Sequence, residues 1–310
     1  ILTYNSHEDL AACLDGILKQ RGIKISVIVV DNASFINNRV TMETIFLDRW
    51  RKGVIVININ FTPAFVGKCE AVFVRNDQNT GYSAGNNIGI RYAVEVGCDA
   101  VLILNPDIRI TDPNYLATLS TEMQIRPECL IAASRIINLS GLDEHPLRLK
   151  NFWEELLWVR QLAPRIFGQT LHVIPPKGTD PVEAEKVHGS CQLVRATFLK
   201  NLGYLDENVF LYCEEAILAA EVKAAGGKIF VFPKLQALHA HVSSNKGNSR
   251  DRMLIFIRSR LYYFKHYTDY GPVKFFALYI SYQLLAFLHR IKRDRKSTRL
   301  NSSHTVISYA

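Results

Sequence analysis

The sequence predicts an α/β fold in which strands and helices alternate around a central sheet, and three observations support this prediction. Apolar runs of strand length recur along the chain, beginning with the continuous run SVIVVD at 26–31. Amphipathic helical patterns separate these runs. Polar side chains stand where several runs end, as Asp107 does shortly after the run at 100–104. Such alternation is typical of sheets with right-handed crossovers, in which ligands bind beyond the carboxyl ends of the strands.

The individual elements follow in order from the amino terminus. Ser6 with Asp9 three residues later resembles a capping box, and the apolar stripe at 10–18 predicts a first helix. The run at 26–31 is apolar throughout, as in parallel strands that are covered on both faces. Later elements are predicted as strands at 54–59, 70–74, 100–104 and 228–232, and as helices at about 84–96 and 214–225.

Two stretches are longer than tight connections need. Residues 35–69 separate two strand-end motifs, and we expect an insertion there. Residues 140–185 are loop-like and contain several prolines, and a long irregular stretch inside a domain is usually a lid or a binding loop.

Composition limits the classes of function. The chain has 310 residues, of which 48% are hydrophobic and 21% charged, as in globular proteins of one large or two ordinary domains. Its net charge of +8 favours an anionic partner such as nucleotide phosphate or acidic lipid. Because no nucleic-acid-binding motif accompanies that charge, we expect no nucleic acid partner. The six cysteines include no CxxC pair, so we expect reduced thiols and a cytoplasmic protein.

The two ends of the sequence differ from the rest. The chain opens without Met inside what reads as a strand remnant, so we expect a truncated N-terminus. From Asp294 onward the sequence is polar and patternless, and its back-translation resembles a widely used short-read sequencing adapter. We therefore expect 294–310 to be a non-native tail rather than a genuine disordered one, and we leave it out of the fold prediction.

Five motifs occur in a fixed order, and together they carry a family resemblance. They are TYNS (3–6), VVDNAS (29–34), NTGYSAGNNIGI (79–90), LILNPDIRI (102–110) and GSCQLVRATFLKNLGYLDENVFLYCEE (189–215). The set resembles the inverting family 2 glycosyltransferases, and within them the bacterial rhamnosyltransferases of cell-wall and surface polysaccharide biosynthesis. The resemblance covers roughly residues 1–267. It implies a nucleotide-diphospho-sugar transferase fold of the GT-A type with a mixed central sheet over 1–245. We expect a helical, membrane-associating extension to follow at 246–293.

The resemblance assigns nucleotide-binding residues to strand ends and to the glycine-containing loop. Asp31 follows an apolar strand, where a carboxylate can accept the imide N–H of uracil or thymine; capping of the next turn is the alternative. Thr3 and Asn5 border the same base or its ribose by resemblance. The loop precedes a helix N-terminus, which favours anions, although a plain capping loop is the alternative. Its donor-binding residues are predicted to be Asn79, Gly81, Gly85, Asn86 and Asn87.

Asp107 is the predicted metal ligand. By resemblance it is the last acid of a DxD-type motif, which holds Mg²⁺ or Mn²⁺ on the donor diphosphate, and Asn105 replaces the first acid. By its spacing from Pro233, His239 matches a histidine that completes the metal shell in the family. A solvated turn carboxylate and a structural histidine are the alternatives for Asp107 and His239.

Glu214 and Glu215 are the predicted catalytic acids at the start of a helix, where the helix dipole favours acids in any case. By resemblance Glu215 is the general base, with Glu in place of the usual Asp, and Ile217 replaces another acid. These departures keep a non-catalytic, donor-binding scaffold protein open as an alternative.

The C-terminal third predicts a membrane surface partner. The apolar run at 275–288 is too short to span a bilayer and is followed by basic residues, which favours an interfacial helix on an anionic surface. A helix packed on the catalytic domain is the alternative. The predicted enzyme is cytoplasmic, peripheral at the inner face of the plasma membrane, and transfers rhamnose from dTDP-rhamnose to a lipid-linked glycan. A UDP-hexose is the alternative nucleotide-sugar donor.

Overall fold

A computed structural model describes most of the chain. The described residues are 1–57, 61, 69–144, 148–158, 178–240 and 249–304, without the side chains of 249, 250 and 291–304. The chain divides into two units. The first comprises Ile1–Leu149 with Leu171–Val242, and the second comprises Lys150–Thr170 with Ser243–Ala310.

The first unit alternates strands and helices, as the sequence predicts. Its strands are β1 (Leu2–Thr3), β2 (Val27–Asn32), β3 (Val54–Ile57), β4 (Ala71–Asn76), β5 (Ala100–Leu104), β6 (Ile108–Arg109), β7 (Cys129–Asn138), β8 (Val182–Ala184), β9 (Cys191–Arg195) and β10 (Lys228–His239). Its helices are α1 (His7–Leu18), α2 (Ile36–Arg49), α3 (Tyr82–Glu95), α4 (Tyr115–Gln124), α6 (Ala196–Leu202) and α7 (Glu214–Ala224).

The strands form two sheets. One has four parallel strands in the order β1-β2-β4-β3. The other is mixed and has the order β5-β9-β7-β10-β6, with β8 paired to β10. The predicted α/β class with a mixed sheet is therefore confirmed, although the described strands are divided between two sheets.

Helices cover both faces of the sheets. On one face, fully buried side chains of α1, α2 and α4 pack together, including Leu14, Phe46 and Tyr115. On the other face, α3, α6 and α7 pack on the six-stranded sheet, with Ile90 and Leu199 in the same cluster. Burial on both faces explains why the strands read as continuous apolar runs.

Most predicted elements are found within two residues of their expected ends, and two differ for local reasons. The strand predicted at 228–232 continues to His239, because β7 goes on pairing with it beyond a bulge between Phe232 and Gln236 that accommodates Pro233. The predicted capping box at Ser6 was wrong: the Ser6 hydroxyl donates 3.2 Å to the carbonyl of Tyr4, and no side chain caps α1.

The two long connections contain regular elements. In 35–69, α2 and the edge strand β3 occupy much of the length that suggested an insertion. The remainder of the strand predicted at 54–59 lies outside the described residues. In 140–185, β8 joins the mixed sheet, while 145–147 and 159–177 lie outside the described residues.

The second unit is helical and is built around a buried carboxylate. It contains α5 (Phe152–Leu156), α8 (Ser249–His266) and α9 (Pro272–His304). Glu155 pairs with Arg260 of α8 and accepts a 2.6 Å hydrogen bond from the Tyr282 hydroxyl of α9. Arg260, which lies in a stretch of alternating basic and aromatic residues at 258–267, is therefore committed to packing this unit.

One face of α9 is apolar and exposed. Leu278, Tyr282 and Ala286 are buried, whereas another stripe of the helix exposes large apolar side chains. That stripe, here called the α9 outer face, consists of Val273, Phe276, Ile280, Leu284 and Phe287. None of the helices in the part of the chain that the structure describes is both long enough and apolar enough to span a bilayer.

Candidate active site

Asp31 is the last residue but one of strand β2 and is completely buried, with both carboxylate oxygens engaged. Its Oδ2 lies 2.6 Å from Nε of Arg39 on α2, and its Oδ1 accepts a 3.2 Å hydrogen bond from the N–H of Ser34. The Arg39 guanidinium also donates to the carbonyl of Asn76 at the end of β4. The turn-capping alternative is thus realised, and the contact of Asp31 with a nucleobase stays a prediction.

Thr3 and Asn5 stand at the end of β1. The buried Thr3 hydroxyl donates to the backbone of β2 at 3.2 Å. Asn5 has a φ of +55°, in the left-handed region that Asn tolerates better than most residues. Its Oδ1 accepts hydrogen bonds from the N–H of Phe35 at 2.9 Å and from Nδ2 of Asn38 at 3.0 Å. Asn5 therefore joins the turn after β1 to the start of α2.

An amide network centred on Asn32 holds the glycine-containing loop against the end of β2. Nδ2 of Asn32 donates 3.0 Å hydrogen bonds to Oδ1 of Asn79 and to the carbonyl of Gly81. Its Oδ1 accepts a 2.9 Å hydrogen bond from Nδ2 of Asn76. The predicted loop residues Asn79 and Gly81 are therefore brought directly beside the strand end that carries Asp31.

Two glycines let α3 approach its neighbours closely. Gly81 has a φ of +89°, and a Cβ there would lie 2.4 Å from the carbonyl oxygen of Phe210. That same oxygen accepts a 2.8 Å hydrogen bond from the N–H of Tyr82. A Cβ at Gly85 would lie 2.7 Å from Cδ1 of Leu2 on β1. The absence of these two side chains brings the start of α3 against β1.

Asn86 and Asn87 point to protein groups. Nδ2 of Asn86 donates 3.0 Å to the carbonyl of Tyr82, one turn back. The buried Asn87 amide donates 2.8 Å to the carbonyl of Leu205 and 2.7 Å to Oε1 of Glu207. The geometry gives both amides structural partners, and their nucleotide-binding role stays a prediction.

Asp107, His239 and Glu144 form a cluster just beyond the end of β5. Nε2 of His239 lies 3.2 Å from Oδ2 of Asp107, and Nδ1 lies 2.6 Å from Oε2 of Glu144. The register of β10 against β6, with His239 opposite Ile108, produces this contact. The two predicted metal ligands are therefore neighbours.

The charges around His239 control its protonation. Burial alone would lower the pKa of His239, but hydrogen bonds and charge from Asp107 and Glu144 outweigh it and raise the pKa to about 9. The imidazole is therefore charged at neutral pH in this arrangement. Because coordination requires a neutral ring nitrogen, a metal bound at His239 displaces a proton.

The Asp107 and His239 pair fits a divalent cation. A carboxylate oxygen and an imidazole nitrogen both bind such ions, and two neighbouring ligand atoms at about 2.1 Å from an octahedral ion lie about 3 Å apart. The 3.2 Å between Oδ2 of Asp107 and Nε2 of His239 meets that spacing. Among the described residues, no group of three or more His, Cys, Asp or Glu side chains is arranged around a metal position. Two such ligands would leave other positions of a cation open to further oxygen ligands, and Glu144 contacts the second ring nitrogen of His239.

Glu214 and Glu215 follow a strained turn. Tyr212 and Cys213 have φ values of +71° and +67°, a conformation that costs about 1–3 kcal/mol per non-glycine residue and persists only where the surroundings enforce it. Glu215 Oε1 accepts a 3.3 Å hydrogen bond from the N–H of Gly189. The turn therefore places the two acids at the start of α7 in a fixed orientation.

The two acids differ in environment. Burial, and then the charge of Glu215, raises the pKa of Glu214 to about 8. In the part of the chain that the structure describes, Oε2 of Glu214 is buried without a hydrogen-bond partner, beside a small cavity that Gln192 and Ser83 also line. Glu214 is therefore mostly protonated at neutral pH.

The turn at 188–190 links the cluster of Asp107 and His239 to the predicted catalytic acids. The carbonyl of Ser190 accepts a 2.7 Å hydrogen bond from the N–H of Asn105, two residues before Asp107. The adjacent Gly189 donates to Glu215. Asp107 and Glu215 are thereby connected through three backbone groups, although more than a hundred residues separate them in sequence.

Most of the predicted residues gather in two groups, and sequence reasoning missed several neighbours. One group surrounds the ends of β1 and β2, and the other surrounds the end of β5. Sequence reasoning did not identify Arg39, Glu144 or His188. His188 lies close to the predicted metal ligands, since its ring centroid is 5.6 Å from that of His239. His188 directly precedes a quoted motif and could have been noticed, whereas Arg39 and Glu144 lie in stretches without a motif.

Known protein sequences resemble part of this chain. The sequence model described as "Glycosyl transferase family 2" matches residues 1–178, more than half of the chain. The low-salt glycan biosynthesis hexosyltransferase Agl10 of Haloferax volcanii is 31% identical over 148 residues, which are 46% of this chain and 43% of the relative. The match thus spans less than half the length of that relative.

Solved structures share the fold at low identity. GalNAc-T7 with UDP, GalNAc and Mn²⁺ has a TM-score of 0.60 at 12% identity, covering 86% of this chain and 47% of that one. The mannosyltransferase PcManGT from Pyrobaculum calidifontis, with GDP-Man and Mn²⁺, has a TM-score of 0.52 at 14% identity, covering 93% and 68%. Residues 1–349 of S. aureus TarS give 0.50 at 14% identity, covering 91% and 68%. The predicted GT-A type of fold is therefore confirmed.

Proposed function

The chain belongs to glycosyl transferase family 2, and from that premise we propose that it transfers a sugar from a nucleotide-sugar donor to a hydroxyl group of a glycan. The observation that carries this proposal is the linkage of Asp107 and His239 to Glu215 through the turn at 188–190. A pair of cation ligands and a carboxylate base are the groups that such a transfer needs.

We propose dTDP-rhamnose as the donor. The five motifs are most similar to those of rhamnosyltransferases. Because rhamnose is a deoxyhexose, this donor is compatible with the hexosyltransferase activity for which the relative Agl10 is named. Thymine presents an imide N–H, for which the Asp31 carboxylate is a suitable acceptor once Arg39 moves aside. A UDP-hexose satisfies the same base contact and is the competing donor.

Asp107 and His239 would hold Mg²⁺ or Mn²⁺, with Glu144 fixing the imidazole ring. When bound, such a cation neutralises charge that develops on the leaving nucleoside diphosphate. The structures of GalNAc-T7 and PcManGT with Mn²⁺ support a divalent cation in this fold.

Glu215 is the proposed general base. An acceptor hydroxyl attacks the anomeric carbon in line with the departing diphosphate, and the carboxylate takes the hydroxyl proton as the new bond forms, so that the configuration inverts. The N–H of Gly189 holds Oε1 of Glu215, and the second oxygen can accept the proton. Glu214 is mostly protonated at neutral pH, which favours Glu215 over Glu214 for this role.

The proposed acceptor is a lipid-linked glycan at an anionic membrane surface on the cytoplasmic side. The α9 outer face supports this, because it exposes contiguous apolar side chains, and the basic residues His289 and Arg290 follow it. Apolar burial combined with attraction to anionic headgroups is the usual basis of interfacial helix binding.

A screen of nucleotide-sugars with Mg²⁺ or Mn²⁺ tests the proposed function. Turnover of dTDP-rhamnose is the expected result, and turnover of UDP-sugars alone would exclude the rhamnosyl donor. A non-catalytic donor-binding protein is the second candidate, because Asn105 and Ile217 replace acids of the family pattern. Binding of a nucleotide-sugar without turnover of any donor would favour it.

A further inference from the structure

Tyr82, the first residue of helix α3, contacts two segments that are distant from it in sequence. Its N–H donates 2.8 Å to the carbonyl of Phe210, in the loop that leads to the acids of α7. Its hydroxyl donates 2.6 Å to the carbonyl of Gly189. Tyr82 therefore joins the start of α3 both to the loop before α7 and to the turn at 188–190.

The Tyr82 hydroxyl and the Glu215 side chain flank the same residue of that turn. A Cβ placed on Gly189 would lie 3.1 Å from the Tyr82 hydroxyl oxygen and 3.4 Å from Cγ of Glu215. The carbonyl of Gly189 accepts from Tyr82, while its N–H donates 3.3 Å to Oε1 of Glu215. A shift of the turn away from Tyr82 would therefore move the group that holds Glu215.

The Tyr82 hydroxyl keeps its proton and is the donor in this contact. Burial, and then the charges of Glu214 and Glu215, raise the pKa of Tyr82 well above the usual value for tyrosine. Gly189 is buried, and a buried carbonyl that loses its donor is costly. The hydroxyl therefore favours one position of the turn over others.

Asn87 ties the loop before α7 to the same helix at a second point. Its Nδ2 donates 2.8 Å to the carbonyl of Leu205, and its Oδ1 accepts a 3.0 Å hydrogen bond from the N–H of Leu205. Together with the contact between Tyr82 and Phe210, these bonds attach the loop to α3 at two places. The start of α7, which carries the two acids, is therefore positioned from α3.

We propose that Tyr82 is a positioning residue for the general base: its hydroxyl fixes the turn at 188–190, and the turn orients Glu215 toward the acceptor hydroxyl. The assignment rests on the proposed function of Glu215. The predicted donor-binding residues Gly81 and Gly85 lie at the same end of α3. One helix start would thus place both the donor loop and the base.

Tyr82→Phe is the test, because it removes the hydroxyl and keeps the ring. It should lower kcat about ten- to a hundredfold, since misplacing a reacting group by about 1 Å has effects of that size. The Kd of the donor nucleotide should not change. Tyr92→Phe is the matched control on the same helix, because the Tyr92 hydroxyl bonds the N–H of Cys69 instead of the turn, and it should keep kcat. A normal kcat in Tyr82→Phe would overturn the proposal.

A double-mutant cycle separates positioning of the base from a general structural role. In the Glu215→Gln background there is no base left to orient, so Tyr82→Phe should change the residual rate by less than about twofold. A purely structural role would lower the rate by the same factor in both backgrounds. Equal factors would therefore overturn the proposal.

Exchange of the Gly189 amide reports the same arrangement without donor or turnover. Tyr82→Phe should speed this exchange at least about tenfold, whereas Tyr92→Phe should leave it unchanged. Unchanged exchange in Tyr82→Phe would overturn the proposal whether or not the protein transfers sugar. Normal transfer by Glu215→Gln would refute the proposed base alone, and the exchange result would still decide whether Tyr82 fixes the turn.

Discussion

Nε2 of His239 lies 3.2 Å from Oδ2 of Asp107, although 132 residues separate them in sequence. The antiparallel register of β10 against β6 produces this contact. The pair resembles the cis ligands of an octahedral cation in spacing, and Glu144 holds the far side of the ring.

Asp107→Ala should abolish Mn²⁺-dependent binding of dTDP while leaving the fold intact, because His239 alone provides a single ligand. Calorimetry of dTDP with and without Mn²⁺ measures this. The control is Asp48→Ala, which removes an exposed carboxylate of α2. Unchanged metal dependence in Asp107→Ala would assign Asp107 to the structural turn.

Glu215→Gln should lower the transfer rate by about a hundred- to ten-thousand-fold and keep donor affinity, since general-base catalysis contributes on that scale. Glu214→Gln should reduce the rate less, because Glu214 is already mostly protonated at neutral pH. Initial rates together with donor Kd values for both variants test this. A dead Glu214→Gln beside a near-normal Glu215→Gln would transfer the base role to Glu214.

Stability should depend on pH through Glu214. Its pKa rises from 4.5 to about 8 in the folded chain, so between these values the unfolded chain has lost the proton that the folded chain keeps. Stability is then fully present below about pH 4.5 and falls as pH rises through 8. Glu214→Gln, neutral in both states, should gain Tm relative to the wild type between pH 5 and 9.

The control for this titration is Ser83→Ala, which alters a non-titrating side chain of the same small cavity. Its difference in Tm from the wild type should not change with pH. A Glu214→Gln curve that runs parallel to the wild type would show that Glu214 ionises alike in both states.

Arg39→Gln should destabilise the fold by about 3 kcal/mol, because it leaves the fully buried Asp31 carboxylate without its counterion. Arg49→Gln is the matched control, since Arg49 pairs with a half-exposed Asp15 and such surface pairs contribute about 1 kcal/mol or less. Urea unfolding measures the change in unfolding free energy for both variants. Similar losses of unfolding free energy in the two variants would show that the buried pair of Asp31 and Arg39 stabilises the fold no more than a surface pair does.

Serine at Val273, Phe276 and Ile280 together should reduce binding to anionic vesicles, because these side chains form much of the α9 outer face. Co-sedimentation of the wild type should also weaken with added salt. Serine at Leu139 and Leu142, which are exposed in the first unit, is the control. If all three proteins sediment alike, the outer face has no membrane role.

Local patterns determined much of this protein. Continuous apolar runs identified β2 and β5, because a strand that is covered on both faces has apolar side chains on both. The position of Asp31 and Asp107 near strand ends followed from the same runs. Gly81 was indicated by the loop motif, and its positive φ and contact with Phe210 explain why no side chain fits there.

Tertiary structure alone decided which of these residues have partners. Arg39 reaches Asp31 through the packing of α2, and Glu144 reaches His239 across a connection without a motif. The raised pKa of Glu214 depends on burial and on the charge of Glu215, which act on it only when α7 packs on the sheet. Sequence spacing reports the order of groups along the chain, whereas register and packing set the distances on which hydrogen bonds, coordination and pKa values depend.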